Sequence, residues 1–129
     1  MKVILLSIKP QYVDKILTGE KKFEYRKKIG KMSGSHLLIY STNPVMKVVA
    51  LVEIINTLVD TPYKLWDKTK KFSGISWVNY EKYFKGRHTA YAYELGKVHR
   101  FSSPKDLSDY DISFAPQSFR YVDFKDNLY

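Results

Sequence analysis

Ile16-Leu17-Thr18-Gly19-Glu20-Lys21-Lys22-Phe23-Glu24-Tyr25-Arg26 is the stretch on which the reading of this chain turns, because the hydrophobic period changes inside it. Up to Leu17 the apolar residues Val13, Ile16 and Leu17 recur at the spacing of one helical face; beyond Gly19, Phe23 and Tyr25 alternate with Lys22, Glu24 and Arg26 in the period of a half-exposed strand. Gly19 can take the left-handed conformation that ends a helix, and Pro10 fits the first helical position. The stretch therefore predicts a helix over 10–18, a glycine stop, and a strand starting near residue 23.

Outward from it, residues 2–8 are rich in Val, Ile and Leu and read as a strand buried on both faces. After a turn at Ser33-Gly34-Ser35, strands are expected over 36–42 and 47–56, separated by the Asn43-Pro44 breaker. Thr61-Pro62 opens a short helix through Trp66, and Ser76 caps another whose Trp77, Tyr80 and Phe84 share a face before Gly86 closes it. Residues 87–95 resume alternation, with shorter strands expected at 99–101 and 119–124 and a turn at 104–110. Strands with helices inserted between them predict an α+β fold built on a small mixed β-barrel with peripheral helices. No repeat, linker or low-complexity tract interrupts residues 1–129, which read as one domain.

The 129 residues carry 22 Lys and Arg against 13 Asp and Glu, a formal charge of +9, which favours a phosphate-bearing or otherwise anionic partner. The absence of cysteine removes disulfides, thiolate catalysis and Cys-containing zinc sites. His36, His88 and His99 lack metal-ligand spacing, so neither a metal nor any other cofactor is expected. No apolar run approaches the ~20 residues of a membrane span, and the N-terminus reads as a strand instead of a signal peptide, so a cytoplasmic location is expected.

The central stretch resembles the signature G-x-K-x-x-E-x-R of the ASCH domain family, the activating-signal-cointegrator homology domains of the PUA-like superfamily, with Gly19, Lys21, Glu24 and Arg26 filling its positions. The similarity extends to Ser7-Ile8-Lys9-Pro10, Leu38-Ile39-Tyr40-Ser41, Gly74-Ile75-Ser76, Tyr83-Phe84-Lys85-Gly86 and Ala115-Pro116-Gln117-Ser118-Phe119-Arg120-Tyr121. The resemblance implies a PUA-like barrel whose cleft takes RNA or a nucleoside. Some such proteins are amidohydrolases that deacetylate acetylcytidine, using a Lys, a Thr three residues later and a distant Glu; another is ribonuclease-like. Here Lys21 keeps the Lys position, and the Thr position holds Glu24.

Strict alternation puts Glu24 and Arg26 on one face and Lys21 on the other, unless the turn rotates it. Lys9, Lys21, Arg26 and Arg120 are the candidate phosphate contacts; Glu24, Tyr40, Ser41, Gln117 and Ser118 could read or stack a base. If the protein is an enzyme, Lys21 and Glu24 are the catalytic candidates, Lys21 as a base if burial lowers its pKa. The expected function is RNA binding, in a transcription- or translation-associated role. The alternatives are hydrolysis of RNA or of a modified nucleoside, and docking of an acidic protein partner. Glu53 interrupts an apolar strand and should have a partner or face the cleft.

Overall fold

The computed structural model describes residues 1–31 and 34–125. Six strands, β1 (Lys2–Ile8), β2 (Phe23–Arg26), β3 (His36–Ser41), β4 (Lys47–Asp60), β5 (Ala90–Lys105) and β6 (Phe119–Asp123), form a mixed sheet in the order β2-β5-β4-β3-β1-β6. Three helices, α1 (Pro10–Thr18), α2 (Pro62–Thr69) and α3 (Trp77–Phe84), pack on it. The turn expected at residues 33–35 lies partly outside the described residues.

β1 pairs in parallel with β3 and antiparallel with β6, so both of its edges are occupied and its Val-Ile-Leu run is buried. Alternation then splits the core: Val3, Leu5, Leu38 and Tyr40 face one cluster with Phe101 and Val122, while Ile4, Leu6, Ile8, Leu37 and Ile39 face another. Val13 and Ile16 of α1 close the second cluster, because the helix is the crossover that a parallel β1–β3 pair requires. A third cluster joins Tyr25, Ala90 and Ala92 to Leu65, Tyr80 and Phe84 under α2 and α3.

The expected barrel is not closed: among the described residues β2 pairs with β5 alone and makes no ladder with β6 or β1. The reason lies in β1, whose backbone is taken by β3 and, as far as Leu6, by β6. The sheet nevertheless curls enough for Arg26 Nη2, at the end of β2, to donate to the Ser7 carbonyl at 3.1 Å, just beyond the last β6 partner. A side chain thus bridges where a ladder would have closed the barrel, and the gap leaves room for a cleft.

β4 and β5 run further than their alternation suggests. Bulges near Ala50, Ile54 and Asn56 break the period of β4, and its outer part, through Asp60, pairs with Ala90–Glu94 despite being largely exposed. The short strand expected at 99–101 is part of β5. Glu53 is exposed opposite His36, so the expectation that it needs a partner or a cleft fails with its premise of burial.

Candidate functional site

The loop that carries Lys21 is fixed from three sides. Gly19 stops α1 at φ 85°, Lys21 N–H bonds the Lys15 carbonyl at 3.0 Å, and Lys22 N–H bonds the Phe72 carbonyl at 2.9 Å. Tied this way, the loop sends Lys22 outward over the Phe72 ring and turns Lys21 inward. Lys21 is only 3% exposed; its Nζ donates to the Ser73 carbonyl at 2.6 Å and lies 4.8 Å from the ring centre of Tyr25 and 5.5 Å from that of Tyr12. Strict alternation would have placed it away from Glu24 and Arg26, but the turn brings all three to one cleft.

Room for the Lys21 stem comes from Gly74, whose φ is +64° and where a Cβ would overlap the Lys21 side chain. Tyr25 beneath the amine is held in turn: Thr69 Oγ donates to the Leu65 carbonyl, so the Tyr25 hydroxyl donates to Thr69 Oγ at 2.7 Å. Burial is the largest influence on Lys21 and lowers its pKa from 10.5 to about 8; Glu24 opposes the shift, while Arg26 and Lys15 add to it.

Glu24 is 7% exposed and takes both Nε and Nη2 of Arg26 on one oxygen, at 3.1 and 2.8 Å. A carboxylate engaged this way fixes the guanidinium. The cleft above measures about 560 Å³ and is lined by β1 and its exit (Ser7, Ile8, Lys9), by α1 (Gln11, Tyr12), by Lys21, Glu24, Tyr25 and Arg26, and by Ile75, Asn79, Lys82 and Tyr83. That volume lies within the ~300–1,000 Å³ typical of small-molecule sites.

Of the residues singled out in the sequence, Lys9, Lys21, Glu24 and Arg26 line this cleft. Gln117 and Ser118 are exposed and follow Pro116, whose carbonyl accepts the Ser7 hydroxyl at 2.8 Å, which brings their segment close to the cleft through Ser7. Tyr40 and Ser41 do not line it: Tyr40 is packed into the core cluster with Leu38 and Phe101, and Ser41 is buried. Arg120 is exposed on β6 and is also not among the lining residues. Sequence reading missed Gln11, Tyr12, Asn79, Lys82 and Tyr83. Asn79, Lys82 and Tyr83 recur at i, i+3 and i+4 opposite the Trp77–Tyr80–Phe84 face, a signal that was present but overshadowed by the aromatic face. Nothing in the sequence marks the Ser73 carbonyl.

No helix among the described residues is long and apolar enough to cross a membrane. Comparison with known families finds that the ASCH domain model matches residues 6–99. Among curated proteins, the chain is similar to large ribosomal subunit protein uL22 of Ureaplasma parvum, at 33% identity over 86 residues, 67% of this chain and 28% of that protein. It is also similar to ATP synthase subunit alpha of the same species, at 28% identity over 120 residues, 92% of this chain and 15% of that protein. A third relative is the ASCH domain-containing ribonuclease of Zymomonas mobilis, at 26% identity over 95 residues, 73% of this chain and 64% of that protein. The chain thus spans less than two thirds of each of these relatives. Among solved structures, a crystal structure of ASCH from Zymomonas mobilis superposes with a TM-score of 0.86 at 24% identity, covering 94% of this chain and 87% of that one. A point mutant of that protein gives a TM-score of 0.86 at 23% identity, over 95% and 91% of the two chains.

Proposed function

Because the chain belongs to the ASCH domain family, we propose that its cleft binds single-stranded RNA one nucleotide at a time. Arg26, fixed by Glu24, and the exposed Lys9 and Lys82 meet phosphate, while the half-buried rings of Tyr12 and Tyr83 offer faces for a base. The observation that carries the reading is the convergence of Lys21, Glu24 and Arg26 on one open cleft in a protein of net charge +9. Expected in fluorescence anisotropy with a labelled single-stranded RNA is binding whose log affinity falls linearly with log salt, by about 0.7 per phosphate contacted. Arg26→Met weakens it by about 10-fold or more, as the loss of a charged hydrogen-bonding partner does. No binding at ~50 mM salt, where counterion release helps most, overturns the reading.

A second reading, RNA cleavage, is favoured by one observation, the amine of Lys21 with its pKa near 8. In its neutral form Lys21 accepts the proton of a 2′-hydroxyl. That oxygen attacks the adjacent phosphorus, the bond to the 5′-oxygen breaks, and the 5′-oxygen takes a proton from water. Arg26 offsets charge on the phosphoryl oxygens. The ribonuclease name of the Zymomonas relative supports this reading. Deacetylation of a modified nucleoside has less support, since Glu24 stands where those enzymes place a hydroxyl and is engaged by Arg26.

A further inference from the structure

α3 has two working faces, and the proposed RNA cleft uses only one. Asn79, Lys82 and Tyr83 line that cleft, whereas Trp77, Glu81, Phe84 and Lys85, on the opposite side of the same helix, line a second cavity of about 320 Å³ that continues onto α2. Its aromatic content is unusual for a surface. Tyr63 is 73% exposed and Trp77 38%, and the two rings stand edge to face with centroids 6.1 Å apart. Trp66 backs Trp77 at 5.4 Å, and Tyr80 lies nearly parallel to it at 6.0 Å. The Tyr80 hydroxyl donates to the Pro62 carbonyl at 2.6 Å, which ties α3 to the start of α2 and holds the ring array in place.

The rim is cationic. Lys85, Arg87 and His88 are exposed there with the single carboxylate Glu81, and among the described residues neither Lys85 nor Arg87 is in an ion pair. Arg87 donates to the Lys27 carbonyl at 3.3 Å, so its guanidinium lies toward the segment that follows Arg26. Exposed aromatic rings beside excess positive charge match the two features of single-stranded nucleic acid, base faces and phosphates. A purely apolar partner would leave these cations unmatched.

We infer that the Tyr63–Trp77 cavity is a second nucleotide subsite, in which a base a few nucleotides along from the one held in the first cleft stacks on the exposed Tyr63 ring beside Trp77 while its phosphate meets Lys85 beside Arg87. The inference rests on the RNA reading of the first cleft. The two cavities are separated by one helix, about 10–12 Å across with its side chains. At ~3.4 Å per stacked nucleotide, that distance is bridged by roughly three nucleotides. A strand of that length or longer engages both cavities, and a shorter one engages only the first.

The test is a length series of single-stranded RNA, from a dinucleotide to a decamer, measured by anisotropy and corrected for the number of binding registers. The wild-type protein gains about 10-fold or more in affinity once the strand can reach both cavities, as a second linked contact provides. In Tyr63→Ala and in Lys85→Ala, both altered at exposed positions, that gain disappears while dinucleotide affinity is unchanged; Arg26→Met weakens every length. A gain that survives in Tyr63→Ala and Lys85→Ala overturns the inference and leaves the first cleft standing. Long strands that depend on Tyr63 and not on Arg26 overturn the reading of the first cleft instead. No binding at any length ends both, whereas quenching of the tryptophans by an acidic peptide and not by RNA ends the second subsite alone.

Discussion

Lys21→Met is expected to lower RNA turnover about 100-fold or more, the range associated with loss of a positioned general base. The same change is expected to remove a pH dependence of stability that the wild-type protein carries. With its pKa at about 8 in the fold against 10.5 in the unfolded chain, Lys21 opposes folding while it is protonated in both states, that is, below pH 8. As pH rises through 8 the folded state gives up the proton first, the unfolded state then binds more protons, and stability increases. By pH 10 the gain is on the order of 2 kcal/mol. Tyr25 acts in the opposite sense at higher pH, since burial raises its phenol to about 12, but it is present in both proteins and drops out of the comparison.

Urea unfolding at pH 7 and pH 10 measures the difference. The stability of wild type minus that of Lys21→Met grows with pH when the amine is buried and stays flat if it is solvated. Met also leaves the Ser73 carbonyl without its donor, at a cost of about 1–3 kcal/mol, so the pH trend and not the value at one pH carries the test. On the cleavage reading, the wild-type rate is expected to rise with pH and level off above about 8, since only the neutral amine can accept a proton.

The second large effect is expected at Gly74. An alanine there meets two penalties: a left-handed backbone, costing about 1–2 kcal/mol, and a Cβ driven into the stem of Lys21. Gly86 separates them, because it has a similar positive φ of 79° and nothing within 4 Å of its missing Cβ. Gly86→Ala bears the backbone cost alone, about 1–2 kcal/mol. Gly74→Ala loses a further 1–3 kcal/mol, roughly the range for overpacking, and weakens RNA binding by displacing Lys21. Equal melting shifts for the two variants, with unchanged RNA binding, would show that the close packing of Gly74 on Lys21 does not position the amine.

Local physics made most of the elements readable. The Val-Ile-Leu run of β1, the Gly19 stop and the caps Thr61 and Ser76 each act within a few residues, and each has its effect where expected; the Thr61 and Ser76 hydroxyls accept from Lys64 and Asn79 N–H. What depends on distant parts of the chain was not readable. Whether β2 could close onto β1 depended on β6 having already occupied that edge, and the length of β4 on pairing with β5 across bulges that erase alternation. Signature residues Lys21, Glu24 and Arg26 were legible as a group, but the side on which Lys21 emerges is set by Phe72, Ser73 and Gly74, some fifty residues later. Tyr40 is ambiguous for a related reason: a tyrosine at a strand end reads the same whether its ring enters a cleft or, as here, a core.

Both the binding and the cleavage readings depend on a buried amine at Lys21 that faces an RNA-binding cleft, and titration of the Lys21 side chain by NMR, with and without a short single-stranded RNA, observes that amine itself. Expected is a pKa of about 8 in the free protein and an upward move when RNA binds, because a nearby phosphate favours the ammonium form. A Lys21 that titrates near the ordinary 10.5, unmoved by RNA, would contradict both readings.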